Sequence, residues 1–290
     1  MGINKCQNSS PNSGLKLSLK GEIERMKNLK DITLAVNILS LTVGEFIREQ
    51  QTKIKASDVQ TKSLNSLVSY VDVEAEKMLV KGLRELVPEA GFLTEEETTS
   101  QEKGDVFWII DPLDGTTNFL HGLPVFAISI ALMDHNELVL GVVYEVGHDE
   151  LFYAWKNGGA YLNEKQIYVS KTGPLKETLL ATGFPYHDFS KMPEYMNLLQ
   201  DCFRYSRGMR RIGSAATDLA YVAAGRFNGF FEYGLNPWDV AAGCILVTEA
   251  GGKVSDFNGG NDYIFGDEIL CASTVIYDDL FKLVNKHLGK

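Results

Sequence analysis

The sequence predicts a mixed α/β fold of the α+β kind, in which layers of helices and β-sheets stack on one another. Three observations support this prediction: amphipathic helical segments open the chain, short strands separated by tight turns follow, and helices then alternate with strands. Its 290 residues, 44% of them hydrophobic, are enough to bury a full core. Neither an internal repeat nor a low-complexity linker interrupts the chain, so we expect its two halves to pack tightly.

The N-terminal part of the sequence predicts an extension and two helices. Residues 1–28 are polar and rich in Asn, Ser, Lys and Gly, which predicts a disordered N-terminal extension. Apolar residues at helical spacing predict one helix over residues 29–51 and another over 73–86, ended by Pro88. The polar segment 61–72 between them is predicted to be irregular and is a candidate for site residues.

The middle of the chain has the pattern of an antiparallel meander. Runs of apolar and β-branched residues are separated by short segments rich in Asn, Asp and Gly. The predicted strands cover residues 106–110, 125–133, 138–145, 151–155 and 160–162.

The last part of the chain follows a predicted seam near residues 166–172 and mixes helices with strands. We predict strands over residues 179–181, 227–233 and 269–272, and helices over 193–205, 214–224, 237–250 and 278–287. The seam divides the chain into an N-terminal half, 29–168, which holds most of the acidic candidates, and a C-terminal half, 169–290.

Composition and charge exclude several classes of function. A net charge of −10 without a basic stripe argues against a nucleic-acid surface, which needs clustered cations. No apolar run is long enough to cross a bilayer, so we expect no membrane contact. The four cysteines stand far apart, without the spacing of a zinc site, at positions 6, 202, 244 and 271. We therefore expect a protein of the reducing cytoplasm.

Two carboxylates at the end of an apolar strand are the main chemical signal. Asp111 and Asp114 follow the run 106–110 within the motif DPLDGTTNF. Two close acids at a buried strand end repel one another, and a hard divalent metal with oxygen ligands is the simplest way to stabilise them. Taken alone, the motif is equally compatible with an ordinary turn.

Two further acidic positions are candidates for the same site. Glu95 belongs to a run of three glutamates after an apolar step, and Asp239 lies in the first turn of a predicted helix. Each also has a simpler interpretation: a solvated acidic loop for Glu95, and an acid that complements the helix dipole for Asp239.

Together these motifs resemble the signature of the inositol monophosphatase family, the lithium-sensitive, Mg²⁺-dependent phosphomonoesterases. The resemblance rests on residues 94–96 (TEE), 111–119 (DPLDGTTNF) and 238–243 (WDVAAG), and it extends from about Leu29 to the C-terminus. It implies the layered α-β-α-β-α sandwich shared with fructose-1,6-bisphosphatase, commonly as a homodimer.

The resemblance implies a role for each matching residue. Glu95, Asp111 and the carbonyl of Leu113 would hold one Mg²⁺, and Asp111, Asp114 and Asp239 would hold a second. A third, weaker ion would use Glu95 and water. The remaining roles fall to residues around these ligands: Asp72 would orient the hydroxyl of Thr116, the amides of Gly115 and Thr116 would bind the phosphate, Glu232 would bind a ring hydroxyl, and Ser214 and Ala215 would line the substrate pocket.

The activity implied is hydrolysis of myo-inositol monophosphate, or a related small polyol phosphate, by a metal-activated water. Asp111 as a covalent nucleophile is an alternative, disfavoured because its expected metal bonds occupy both oxygens. Relatives with the same chemistry act on 3′-phosphoadenosine 5′-phosphate, fructose 1,6-bisphosphate or histidinol phosphate, and bacterial members can act as binding partners of the transcription machinery.

Two positions depart from the family pattern. Ser66 stands where the family often has Asp, and Thr94 stands where it usually has Gly. Both leave the principal ligands intact, and they put the weakest metal site and the mobility of the loops in question.

Overall fold

The structure is a computed structural model of the chain. It describes residues 12–54, 59–63, 66–101, 103–186 and 188–290. Side chains are described from Asn28 onward, apart from residues 55–68, 102 and 187.

Seven helices and fourteen strands form the described part of the chain. The helices are α1 (Asn12–Gln51), α2 (Tyr70–Leu86), α3 (Thr116–Leu120), α4 (Met192–Tyr205), α5 (Ala215–Ala223), α6 (Pro237–Glu249) and α7 (Tyr277–Leu288), with a 3₁₀ helix at Leu175–Glu177. The strands are β1 (Val59–Ser63), β2 (Ser66–Ser69), β3 (Gly91–Thr94), β4 (Val106–Asp114), β5 (Ala127–Asp134), β6 (Glu137–Glu145), β7 (Glu150–Trp155), β8 (Gly159–Leu162), β9 (Lys165–Ile167), β10 (Leu179–Thr182), β11 (Gly208–Arg210), β12 (Gly229–Tyr233), β13 (Gly252–Ser255) and β14 (Glu268–Ser273).

Two sheets organise the fold. The larger sheet has the order β3-β4-β5-β6-β7-β8-β9, and its strands pair antiparallel except for the parallel pair β3 and β4. The smaller sheet has the order β11-β10-β12-β14-β13, with β10 parallel to both of its neighbours. β1 and β2 pair antiparallel in a separate two-stranded sheet.

The apolar residues of β4 alternate between the two faces of the larger sheet. Trp108 and Ile110 pack in one core with α1 and α2, whereas Phe107 and Ile109 pack in a second core with α5 and α6. That second core also includes one face of the smaller sheet, and a third core joins the opposite face to α4 and α7. The layers are therefore α-β-α-β-α, which confirms the predicted fold class.

The predicted elements are present, with differences at their ends and in the short strands. The described residues of segment 61–72 belong to β1, β2 and the start of α2 instead of an irregular loop, and β4 runs past Asp111 to Asp114. The sequence analysis did not identify β3, β9, β11 or β13 as strands. Their runs of three or four residues are too short to show an alternating pattern.

The N-terminal helix begins earlier than predicted. α1 starts at Asn12 rather than Leu29, and thus includes part of segment 1–28. Residues 1–11 and the side chains up to position 27 lie outside the described residues, so the predicted disorder of residues 1–11 stays a prediction.

None of the helices in the described ranges combines the length and the apolar character needed to span a membrane. The three described cysteines, Cys202, Cys244 and Cys271, are buried free thiols. Burial raises the pKa of Cys202 to about 12, which keeps it protonated and unreactive.

Candidate active site

One cavity of about 160 Å³ brings together most of the predicted site residues. The sequence-predicted residues on its wall are Glu95, Asp114, Gly115, Thr116, Ser214, Ala215, Glu232 and Asp239. They come from strands β4 and β12, from the loop after β3, and from the N-terminal ends of α3, α5 and α6. The two halves of the chain therefore share one site.

A bulge in β4 sets the directions of its two acids. Asp111 pairs with Ser129 of β5, and Asp114 pairs with Ala127, so β4 has one residue more than β5 in this interval. Asp111 is 2% exposed, and its Oδ1 accepts a hydrogen bond from the amide of Leu113 at 2.9 Å. The bulge thus places two acids at the end of the strand without alternating them to opposite faces.

Parallel pairing brings Glu95 beside this strand end. Thr94, the last residue of β3, is in register with Ile110 of β4, and the amide of Glu95 donates a hydrogen bond to the Ile110 carbonyl at 3.2 Å. Thr94 and Ile110 are paired, so the residues that follow them, Glu95 and Asp111, stand at the same level along the two chain segments.

Asp239 reaches the cavity from the first turn of α6. Asn236 and Asp239 form a capping box, in which Asp239 Oδ2 accepts a hydrogen bond from the Asn236 amide at 2.7 Å. Pro237 occupies the first turn, where its missing amide proton costs nothing. The residue thus caps its own helix, as the simpler interpretation expected, and also faces the other acids.

Burial and the charges of neighbouring acids raise the pKa values of these carboxyl groups. Burial raises the pKa of Asp111 well above its usual value, and the charges of Glu95, Asp114 and Asp239 raise it further. Burial raises the pKa of Asp114 to about 6, against the opposing effect of its hydrogen bonds with Ser214 and Ala216. The pKa of Asp239 is also well above its usual value, because of burial and then the charge of Asp114. The acids repel one another.

Thr116 is held by a carboxylate from α2. Its Oγ1 lies 3.1 Å from Asp72 Oδ1 and 3.0 Å from the Leu113 carbonyl oxygen. Both oxygens are acceptors for the single proton of the Thr116 hydroxyl. Asp72 Oδ2 accepts hydrogen bonds from the amide and hydroxyl of Ser69, which closes the capping box of α2. Burial raises the pKa of Asp72.

Gly115 is required at the start of α3. Its φ is +89°, in the region that favours glycine, and a Cβ there would lie 3.1 Å from the carbonyl oxygens of Gly213 and Val125. The chain can therefore turn sharply from Asp114 into α3, with Thr116 and Thr117 on the cavity wall.

Glu232 lies in β12, 5% exposed, on the wall of the same cavity. Burial raises its pKa well above the usual value, and the charge of Asp239 adds to this. A Cβ at Gly183 would overlap the Glu232 carboxylate, so only glycine leaves room for it.

The sequence analysis missed Gly183, Tyr186, Arg211 and Asp218, which also line the cavity. Asp218 is an acid within the apolar helix α5, a signal that could have identified it; it is 1% exposed. Arg211 is an exposed residue of the cavity wall. Its guanidinium lies over the ring of Tyr186 at 5.5 Å, and nothing local in the sequence indicates that contact.

The acids do not form a closed metal shell. Within the described residues, no three His, Cys, Asp or Glu side chains are close enough to enclose an ion. The donor set nevertheless fits a hard divalent cation, because the candidates offer only oxygen and a cation would offset both the burial and the mutual repulsion that raise their pKa values.

Comparison with known proteins identifies the family. The sequence model of the inositol monophosphatase family matches residues 28–288. The chain belongs to this family. This confirms the resemblance, and family membership supports a phosphatase.

Relatives within the family carry two kinds of name. The inositol-1-monophosphatase of Mesorhizobium japonicum is 39% identical over 251 residues, which cover 86% of this chain and 94% of that protein. The Nus factor SuhB of Escherichia coli is 44% identical over 234 residues, which cover 79% of this chain and 86% of that protein.

Solved structures of the family have the same architecture. The extragenic suppressor protein suhB of Bartonella henselae superimposes with a TM-score of 0.84 at 37% identity, covering 89% of this chain and 100% of that one. The IMPase of Thermotoga maritima superimposes with a TM-score of 0.79 at 35% identity, covering 87% of this chain and 96% of that one.

Proposed function

We propose that this protein is a Mg²⁺-dependent phosphomonoesterase that hydrolyses myo-inositol monophosphate or a related small polyol phosphate. The observation that carries this proposal is the set of oxygen donors at one cavity. Glu95, Asp114 and Asp239 line it, and Asp111 interacts electrostatically with all three. Carboxylates alone would repel a phosphate dianion, so an acidic pocket for this substrate requires cations.

The donor set indicates which residues would hold the ions. Two to three Mg²⁺ would be held by the carboxylates of Glu95, Asp111, Asp114 and Asp239 and by the carbonyl of Leu113. When bound, such ions activate a water molecule and neutralise charge on the phosphate and the leaving oxygen. The Leu113 carbonyl oxygen lies 3.0 Å from Thr116 Oγ1, so an ion held by that carbonyl would be close to this hydroxyl.

The protein's own groups would orient the reactants. Asp72 directs the hydroxyl of Thr116, which can in turn position an attacking water for in-line displacement. The amides of Gly115 and Thr116 are suited to bind phosphate oxygens where the chain enters α3. Glu232, on the wall of the same cavity, can accept a hydrogen bond from a polyol hydroxyl.

A screen of phosphate release tests this proposal. The substrates are inositol 1-phosphate, fructose 1,6-bisphosphate, 3′-phosphoadenosine 5′-phosphate and histidinol phosphate, each with Mg²⁺, with excess EDTA and with added Li⁺. We expect the highest kcat/KM with inositol 1-phosphate, loss of activity in EDTA and inhibition by Li⁺. Equal turnover in EDTA would contradict the metal-dependent mechanism. A strong preference for another substrate would group the protein with the family members that act on that substrate.

A role as a partner of the transcription machinery is the second candidate. It is supported by the name Nus factor carried by relatives such as the 44% identical SuhB of Escherichia coli. Co-purification of the protein with Nus factors and RNA polymerase tests it, and an Asp114→Asn variant separates that role from hydrolysis. We also propose a homodimer, as the family resemblance implies, which sedimentation of the purified protein would test.

A further inference from the structure

A second acid on α2 contacts the loop that carries Glu95. Glu76 lies one helical turn after Asp72 and is fully buried. Its Oε1 accepts hydrogen bonds from Thr94 Oγ1 at 2.9 Å, from the Thr98 amide at 2.8 Å and from Thr98 Oγ1 at 2.7 Å. Its Oε2 accepts one from the Glu96 amide at 2.7 Å. The donors lie on both sides of Glu95.

These contacts join one face of α2 to two parts of the candidate site. Asp72 and Glu76 are four residues apart and therefore lie on the same side of the helix. Asp72 holds Thr116. Glu76 holds the segment on either side of Glu95. Because both acids lie on α2, which is capped at Ser69, this helix fixes the position of Thr116 relative to the segment around Glu95.

We propose that Glu76 is a positioning residue that fixes the loop 94–98 and, through it, the Glu95 carboxylate at the cavity. This inference rests on the proposed function, in which Glu95 binds metal. Glu76 does not line the cavity, so its effect is indirect.

Thr94 contributes a side-chain hydrogen bond to this link. Its hydroxyl donates to Glu76 Oε1, a contact that a residue without a hydroxyl could not make. The Thr94 hydroxyl also lies 3.1 Å from Gln101 Nε2, whereas the Thr94 amide donates to Gln101 Oε1 at 2.8 Å. Thr94 therefore links this loop both to Glu76 of α2 and to Gln101, seven residues further along the chain.

The test compares four variants of the full chain. Glu76→Gln replaces one accepting oxygen with a donor, Thr94→Val removes the hydroxyl at nearly constant volume, and Thr94→Ser restores it. Thr33→Val is the matched control, since Thr33 is a buried threonine whose hydroxyl donates to the Leu29 carbonyl of its own helix.

Two measurements need no substrate. Hydrogen exchange reports the amides of Glu96 and Thr98, and electron paramagnetic resonance of Mn²⁺ reports metal affinity. We expect about tenfold faster exchange and a several-fold weaker Mn²⁺ affinity in Glu76→Gln and Thr94→Val, as the loss of one or two buried hydrogen bonds predicts. Thr94→Ser should behave as the unmodified chain, and Thr33→Val should change thermal stability alone.

Activity completes the test. Loss of Glu95 positioning should raise the Mg²⁺ concentration needed for half-maximal rate while KM for the substrate stays nearly constant. Unchanged exchange and Mn²⁺ affinity in Glu76→Gln and Thr94→Val would overturn the inference; if Glu76→Gln does not fold, the comparison of Thr94→Val with Thr94→Ser decides. If the unmodified protein releases no phosphate, the proposed function fails, whereas the exchange and Mn²⁺ measurements still decide the role of Glu76.

Discussion

Ser214 Oγ donates a hydrogen bond to Asp114 Oδ2 at 2.6 Å, although the two residues are a hundred positions apart in the sequence. Ser214 is also the N-cap of α5, where its Oγ accepts from the Thr217 amide at 3.2 Å. The amide of Ala216 supplies a second hydrogen bond to Asp114, at 2.8 Å. The start of α5, in the second half of the chain, therefore orients a carboxylate of the first half.

This relationship predicts a double effect for Ser214→Ala. The free energy of unfolding should fall by about 1 kcal/mol because a helix cap is lost. The value of kcat should fall as well, because Asp114 loses one of the two hydrogen-bond donors that its carboxylate has within the described residues. Thr217→Val is the control: it removes the hydroxyl that lies 2.7 Å from Ser214 Oγ but leaves the Asp114 contact. Equal kcat values for the two variants would show that the Ser214 contact is purely structural.

Asp114→Asn should abolish most of the activity while the protein stays folded. The amide replaces an anionic oxygen donor with a neutral group, so metal affinity and kcat should fall by orders of magnitude. Circular dichroism and phosphate release measured at several Mg²⁺ concentrations check this. A folded variant with near-full kcat would remove Asp114 from the metal site.

Gly183→Ala should displace Glu232 and change substrate binding. The added Cβ would overlap the Glu232 carboxylate, which is buried and must move. We expect KM for inositol 1-phosphate to rise more than kcat falls, since Glu232 is proposed to bind a substrate hydroxyl. Gly208→Ala is the control, because a Cβ there has its nearest neighbour at 3.7 Å. An unchanged KM in Gly183→Ala would argue against a substrate contact by Glu232.

The raised pKa of Asp114 predicts a pH dependence of the metal-free protein. A carboxyl whose pKa is higher in the folded than in the unfolded chain stabilises the fold when protonated. With a folded-state pKa of about 6, this contribution is complete below about pH 4 and is lost as the pH rises through 6. The difference in free energy of unfolding between the unmodified chain and Asp114→Asn should therefore decrease over this range.

Urea unfolding in EDTA at several pH values measures that difference. Asp279→Asn is a suitable control, because Asp279 is an exposed residue of α7 that pairs only loosely with Lys282, at 3.6 Å. Added Mg²⁺ should stabilise the unmodified chain more at pH 7 than at pH 5, since ionised carboxylates bind it. If this difference in free energy of unfolding does not vary with pH, burial does not raise the pKa of Asp114 in the folded protein.

Much of the architecture could be predicted from local patterns. Helical and alternating periodicities in the sequence indicated most of the long elements, because each pattern reports which face of an element is buried. Short strands such as β3 could not be identified in this way. β3 is defined by its parallel pairing with β4, a contact between segments that no local pattern encodes.

The sequence by itself determined the acidic motifs and hence the family, because Asp111 and Asp114 are neighbours along the chain, and each of the other acids lies within a short motif of its own. Only the tertiary structure decided which groups support them. Glu76, Gly183 and Ser214 act through segments that are distant in sequence, and their partners are set by strand register and helix packing. Burial and charge repulsion arise from that packing, so the raised pKa values of the acids are properties of the fold and not of the motifs.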